Sequence, residues 1–254
     1  MTDSPEPLPR LAPAEFAERL QQRAAAAGVP LDSGQALAFC HYRDLLLEWN
    51  ARFNLTAITD DEGILMRHFV DALTVVPALD AALPNGGDVL DLGTGAGLPG
   101  IAIKIARPKL RVRLMDSTAK KLTFCAEVTT QLSLKGIGVM HARAEEAGLQ
   151  ADHRERYDAV VARAVAGLAT LVEYMLPFVK VGGIAVAMKG SDAGAEARVA
   201  RGAIEALGGD LVEVAPVSLP GLSDQRALIL MRKVSATPHQ FPRQGGKPRS
   251  QPLS

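Results

Sequence analysis

Aromatic side chains are scarce in this chain. They make up 4% of its 254 residues, and Trp49 is the only tryptophan. The 48% apolar content still supports an ordinary core. Cysteine is scarcer: Cys40 and Cys125 stand far apart in helix-like patterns, so they read as reduced core residues of a cytosolic protein and not as a disulfide. No apolar run approaches the roughly 20 residues of a membrane span. Charge of either sign is not in excess, with 28 basic against 28 acidic residues. Nucleic-acid binding would therefore need local basic patches. The opening stretch MTDSPEPLPRLAP carries acids and prolines and no apolar run, which argues against a signal peptide. His41, His68, His141, His153 and His239 form no metal-ligand spacing with the cysteines, so no metal is expected.

The length suits one α/β domain with a helical extension. Residues 1–12 are Pro-rich and expected to be disordered. A helix is expected over 13–27, with Pro13 near its start and Gly28 just past its end. A second is expected over 33–50, with Ser33 as N-cap and Leu37, Cys40, Leu45 and Trp49 as its apolar stripe. A third runs from about Asp60 to Val76, closed by Pro77. These make a helical extension, 13–80, expected to pack on a domain spanning 81–233.

From residue 88 the pattern changes. Strand candidates are 88–92, 111–116, 137–141, 157–162, 183–188, 210–215 and 226–232; helical stretches 99–107, 118–133, 167–178 and 194–207 lie between most of them. Apolar, largely unalternated strands separated by helices indicate a parallel sheet covered on both faces. The last two strands are joined by a Pro/Gly loop without a helix, so the final strand should be antiparallel. The tail, 234–254, contains Arg243, Lys247 and Arg249 and no acid, and its prolines argue against regular structure. It reads either as a solvated, disordered end or as an arm that contacts nucleic acid.

The decisive stretch is 88-DVLDLGTGAGLPGIAIKIARP-108. Glycines between a first strand and a helix let backbone approach a ligand closely. Residues 95–100 match G-x-G-x-x-G, a weak signal alone. Two features oppose a dinucleotide: Asp91 would disfavour a pyrophosphate, and no second mononucleotide-binding half follows. The reading Asp91-Leu-Gly93-Thr-Gly95-Ala-Gly97 resembles the S-adenosylmethionine loop of Rossmann-like methyltransferases, whose cofactor is cationic and suits a carboxylate. Asp116 ends the next strand, placed to accept hydrogen bonds from ribose hydroxyls; an N-cap shared with Ser117 is its alternative role. Ala144 and Glu145 stand where such enzymes contact adenine, with a solvated helix start as the alternative for Glu145.

The acceptor is narrowed by elimination. An N-P-P-Y-like segment is absent near Arg163, neither cysteine is placed as a C5 nucleophile, and no ribose-activating Lys/Asp/Lys/Glu set can be assembled. An acceptor with a free lone pair, such as guanine N7, needs alignment but no general base.

Several segments then match in order: 49-WNARFNLTAI-58, 67-RHFVDAL-73, DLGTGAGLPGI, 115-MDSTAKKLTF-124, 141-HARAEE-146, 162-ARAVAGL-168, 188-MKG-190 and 225-QRALIL-230. Together they resemble the glucose-inhibited division protein B family (RsmG), bacterial 16S ribosomal RNA guanine-N7 methyltransferases, over residues 30–232. The resemblance implies a Rossmann-like class I fold of seven strands, with S-adenosylmethionine as cofactor. It implies a cytoplasmic enzyme acting on 16S ribosomal RNA in the small subunit or its precursor, and we expect a monomer. It implies cofactor contacts at Gly93, Leu98, Asp116, Ser117, Thr118, Ala144, Glu145 and Arg163, alongside Asp91, Gly95 and Gly97 of the loop. The basic residues implied for catalysis are Arg143, Arg163, Lys189 and Arg226. Arg67, Lys120, Lys121, Lys189 and Arg226 are expected to meet RNA; for the lysine pair a solvated helix face is the alternative. Asn54 and Arg67 should shape the pocket rim, whereas His68 and Trp49 read as packing residues. The cations Lys104, Arg107, Lys109, Arg111 and Arg113 offer a local basic surface. A cofactor-binding assembly factor without turnover, a methyltransferase for another RNA acceptor and a dinucleotide oxidoreductase remain as alternatives.

Overall fold

A computed structural model describes residues 10–163 and 165–253. Most of the segment expected to be disordered, 1–12, lies outside them. Leu11, at its described end, is half-buried and its N–H donates to the carboxylate of Asp61.

Seven strands form one sheet: β1 (Asp88–Leu92), β2 (Arg111–Asp116), β3 (Ile137–His141), β4 (Tyr157–Arg163), β5 (Val179–Lys189), β6 (Gly209–Val217) and β7 (Arg226–Lys233). Their order is β3-β2-β1-β4-β5-β7-β6. Strands β1 to β5 pair in parallel, and β7 runs antiparallel between β5 and β6. The order reverses beside β1, which opens a crevice at the carboxyl ends of β1, β2 and β4.

The unalternated strands have a simple cause: both faces are buried. Val89, Val112, Leu114, Val161 and Val186 point into one core, beneath the N-terminal helices and helices Gly100–Ala106 and Ala119–Gln131. Leu90, Met115, Val160, Ala185 and Ile229 point into the other, beneath helices Leu168–Met175, Ala193–Val199 and Arg201–Ala206. Period-two side-chain alternation thus feeds two cores at once.

The few aromatics gather in the helical extension. Phe69 stacks on Tyr42 with centroids 5.1 Å apart and meets Phe39 at 4.9 Å and Phe16 at 6.2 Å. Each such pair adds about 1 kcal/mol beyond area burial. Tyr42 also donates its hydroxyl to the carbonyl of Ala96, so the extension is stitched directly to the glycine loop.

The helical extension differs from expectation in three respects. The helix Ser33–Phe53 is capped by Asp32, not by Ser33: Asp32 accepts from the Gln35 N–H at 2.8 Å, and Gln35 accepts in return from the Asp32 N–H at 2.9 Å. That reciprocal box satisfies two orphan donors where serine would satisfy one. Of the expected stripe, Cys40 is buried, Leu45 and Trp49 are half-buried and Leu37 is exposed; the buried face also carries Phe39, Tyr42, Arg43, Leu46 and Leu47. Pro77 does not close the third helix. That helix runs as Asp61–Gly63, a π-helical stretch Ile64–Val70 and Asp71–Leu73, and Pro77 starts the next one, Val76–Ala82, where its missing N–H costs nothing.

The tail is also corrected. It is neither a solvated end nor wholly irregular. Phe241 and Pro248 are buried, and Lys247–Ser250 forms a helical turn. The anchor is Glu173, fully buried, which accepts from the Arg243 backbone N–H at 2.7 Å and from its guanidinium at 2.7 and 2.9 Å. Arg154 adds a clamp, donating to the carbonyls of Phe241 and Thr237 at 2.8 and 2.7 Å.

Candidate cofactor cleft and active site

The glycine loop leaves β1 and reaches helix Gly100–Ala106 through backbone that only glycine adopts readily. Gly93 and Gly97 sit at φ +72° and +85°. A Cβ on Gly97 would stand 2.4 Å from the Ile101 Cδ1 and 2.8 Å from the Tyr42 hydroxyl. The N–H groups of Gly93 and Thr94 both donate to the carbonyl of Met115, at 2.8 and 2.9 Å, pinning the loop to the end of β2.

Asp116 then ties the loop to the next turn. Its Oδ2 accepts from the Gly95 N–H at 3.0 Å and its Oδ1 from the Thr118 N–H at 2.8 Å. Both oxygens keep a free lone pair, and the residue lines the cleft. The local capping role and the ligand-facing role thus coexist. Asp91 is placed otherwise. It is fully buried under the loop, where its Oδ2 accepts from the Thr94 hydroxyl at 2.5 Å and the Gly100 N–H at 2.8 Å. Its Oδ1 has no partner among the described residues. Burial pushes its carboxyl up to about 6, against the pull of those two hydrogen bonds. It braces the loop from below; it does not face the cleft. Leu98 likewise packs into the core.

Above this floor lies an open cleft of about 650 Å³, within the range of small-molecule sites. Gly93, Asp116, Ser117, Thr118 and Lys121 form one side; Arg143, Ala144 and Glu145 form the next. Tyr174 and the tail residues Gly246, Arg249 and Ser250 complete it. Those last four were missed from sequence: a tail gives no local signal of where it docks, and nothing around Tyr174 on helix Leu168–Met175 marks the side it faces. Lys120 lies outside, its ammonium 5.2 Å from the Phe53 ring centroid.

The expected catalytic cations divide. Arg163 ends β4, Lys189 ends β5 and Arg226 begins antiparallel β7, so all three lie at one sheet edge. Arg163 and Arg226 converge on Asp71: Arg163 Nη1 donates to Oδ2 at 3.0 Å and Arg226 Nε to Oδ1 at 2.6 Å. Arg163 also donates to the carbonyl of Arg67, and Arg67 pairs with Asp224. Lys189 is engaged separately, by the Ala166 carbonyl at 2.6 Å and Glu196 at 2.7 Å. Arg143 stands apart, across the cleft beside Ala144. Asp71 sits inside the quoted segment RHFVDAL, yet nothing in that segment announces partners far along the chain.

Other expectations resolve plainly. His68 is nearly buried, its Nε2 2.8 Å from the Thr56 hydroxyl, and burial drives its imidazole down to about 4. Trp49 is half-buried against Phe53 and Phe124. Asn54 caps its helix in left-handed backbone. The basic surface is smaller than its residues suggest. Lys104 is buried, donating to the carbonyls of Pro108 and Leu110, while Arg107 and Arg111 pair with Asp80 and Asp88. Burial raises both thiols, Cys40 and Cys125. Among the described residues no cluster suits a metal, and no helix is long and apolar enough to cross a membrane.

Sheet order, antiparallel seventh strand and glycine loop over an acidic β2 end define a Rossmann-like class I methyltransferase. Solved structures share that fold. The ribosomal protein L11 methylase of Lactobacillus delbrueckii subsp. bulgaricus superposes with a TM-score of 0.50 at 16% identity, covering 66% of this chain and 79% of that one. A 16S rRNA (adenine(1408)-N(1))-methyltransferase from Catenulisporales acidiphilia gives 0.50 at 15%, covering 64% and 91%. Sequence narrows the class. The family model described as rRNA small subunit methyltransferase G matches residues 35–229. Ribosomal RNA small subunit methyltransferase G of Acetivibrio thermocellus is 46% identical over 228 residues, 89% of this chain and 92% of the relative. The chain belongs to the rRNA small subunit methyltransferase G family.

Proposed function

We propose that this protein transfers the methyl group of S-adenosylmethionine to N7 of a guanine in bacterial 16S ribosomal RNA, within the small subunit or its precursor. One observation carries the cofactor half. Asp116 stands at the end of β2 with both oxygens bonded to loop amides, yet open to the cleft, where each can accept a ribose hydroxyl. Ser117 and Thr118 continue that side, and Ala144 and Glu145 stand where an adenine would lie. Gly93 keeps the floor low: a Cβ there would stand 2.6 Å from the Val165 side chain.

The make-up of the cleft supports the choice of acceptor. Its described lining contains no cysteine and no histidine. Covalent attack on a pyrimidine and histidine-assisted deprotonation therefore have no agent there. Guanine N7 needs neither. Its lone pair attacks the methyl carbon in line, and the carbon–sulfur bond breaks with its electrons remaining on sulfur. S-adenosylhomocysteine leaves, and the purine keeps the positive charge. The protein's contribution is alignment. Arg163 and Arg226, prearranged by Asp71, present guanidinium N–H groups at the sheet edge to RNA phosphate or to guanine O6. Lys189 holds the segment after β4 through the Ala166 carbonyl. Arg67 and Lys120 supply outlying phosphate contacts, Lys121 one at the cleft wall, and Arg143 lends its charge within the cleft.

The test is transfer of labelled methyl from S-adenosylmethionine to small subunits lacking the modification, mapped by cleavage at N7-methylguanine. A single modified guanine, lost with Arg163→Ala and Asp116→Ala, is expected. Cofactor binding without incorporation would instead favour an assembly factor or another RNA acceptor.

A further inference from the structure

Three of the residues that line the cleft, Gly246, Arg249 and Ser250, come from the C-terminal tail. Their presence there is not incidental to a loosely draped end. Helix Leu168–Met175 follows the β4 segment at the cleft and binds the tail twice. Its Glu173 holds Arg243, and its Thr170 hydroxyl donates to the carbonyl of Pro248 at 2.9 Å. Arg243 then closes the segment on itself, donating to the carbonyl of Gln251 at 2.7 Å. At the other end Lys233, fully buried, donates to the carbonyl of Leu176 at 2.8 Å and to the Thr237 hydroxyl. The tail is therefore fixed before and after the turn Lys247–Ser250.

The side of the cleft that the tail closes can be located. Burial pushes the Tyr174 phenol up; Glu145 and Glu173 add to this, and Arg249 and Arg143 oppose it. Tyr174, Arg143 and Arg249 line the cleft together with Ala144 and Glu145, the residues read as meeting adenine, whereas Arg163 and Arg226 meet on Asp71 and are not in that lining.

We propose that the tail segment 246–250 is a working wall of the cofactor site, closing the adenosine end of the cleft so that binding S-adenosylmethionine and docking the tail stabilise each other. This rests on the methyltransferase reading above. A wall already ordered before the cofactor arrives lowers the cost of binding, because fewer groups must be immobilised on contact. It leaves the methyl-transfer step alone, since Arg163 and Arg226 are held on Asp71, outside the lining that the tail supplies. The expected effect is on cofactor affinity and not on turnover.

Two variants separate the wall from the fold. A chain ending at Arg243 removes the wall but keeps the Arg243–Glu173 pair. Arg249→Ala keeps the whole tail and removes one exposed side chain from the cleft. Calorimetric titration with S-adenosylmethionine should show binding weakened about tenfold or more in the shortened chain and by a smaller factor in Arg249→Ala. The KM for S-adenosylmethionine should rise in parallel, with kcat at saturating cofactor unchanged. Hydrogen exchange across 244–251 in the full chain should slow when S-adenosylmethionine is added. Unchanged affinity in the shortened chain, with the full chain binding normally, overturns this inference alone. A full chain that binds no S-adenosylmethionine overturns the cofactor reading itself and the wall with it.

Discussion

Arg163 and Arg226, on strands β4 and β7, are held by the two oxygens of one carboxylate. Asp71 takes Arg163 on Oδ2 and Arg226 on Oδ1, and 11% of its side chain is exposed. Two guanidiniums this close would repel each other without it. Asp71→Ala should therefore scatter both and lower stability by about 2 kcal/mol, less than for a fully buried pair. Methyl transfer should fall at least tenfold, about 1.4 kcal/mol of barrier, while affinity for S-adenosylmethionine stays near normal. Thermal unfolding, calorimetry and single-turnover transfer on one preparation check all three; normal turnover would remove Asp71 from the site.

Asp116→Ala should act on the cofactor. It deletes the acceptor for the Gly95 and Thr118 amides and the group facing the ribose. A lost charge-assisted hydrogen bond costs about 2 kcal/mol, so affinity for S-adenosylmethionine should drop by a factor on the order of 30. Asp116→Asn retains an acceptor and should lose less. Equal losses in the two variants would mean that the carboxylate acts only by its charge.

Gly97→Ala should disrupt the loop from beneath. Its φ of +85° is unfavourable to alanine, and the new Cβ would collide with Ile101 and Tyr42. A destabilisation of about 2 kcal/mol is expected, with weakened cofactor binding. Gly245→Ala is the control. It too has a positive φ, but a Cβ there meets nothing within 4 Å, so only the backbone cost should appear in its melting temperature.

Two buried groups give stability opposite dependences on pH. His68 has its folded pKa lowered from 6.5 to about 4. Its contribution is complete above 6.5 and is lost as pH falls towards 4, by about 3 kcal/mol. Asp91 has its folded pKa raised from 3.8 to about 6. Its protonation favours the fold, so stability from this group is fullest below 3.8 and is lost as pH rises through 6. The two largely cancel between pH 4 and 6 in the native protein. Denaturant unfolding across that range should expose each alone. The stability of the native protein relative to His68→Gln should rise with pH, and relative to Asp91→Asn should fall. Parallel curves for either pair would contradict the corresponding shift.

What the sequence disclosed was local. The β1–loop–helix unit, Asp116 and the seven strands are written in neighbouring residues, since glycine backbone and unalternated apolar runs need no distant partner to be recognised. The bounds of β1, β2 and β3 are those expected. What stayed hidden was the pairing of charges. Asp71 bonds Arg226 155 positions away, and Glu173 bonds Arg243 70 positions away. Nothing near either carboxylate marks it as buried. The same blindness promoted Lys104 to a surface cation, although it caps two carbonyls in the interior. Asp91 was correctly seen beside the loop, but a one-dimensional pattern does not tell which side of the loop a carboxylate occupies.

The cleft takes lining from residues as far apart in sequence as Leu92 and Ser250. That span has a consequence for the order of biosynthesis. A nascent chain whose β1 loop and β2 have emerged from the exit tunnel still lacks Tyr174, and one with its sheet complete still lacks Arg249. The pocket is therefore finished only after Ser250 has been made and docked, long after the loop and β2 that form its floor.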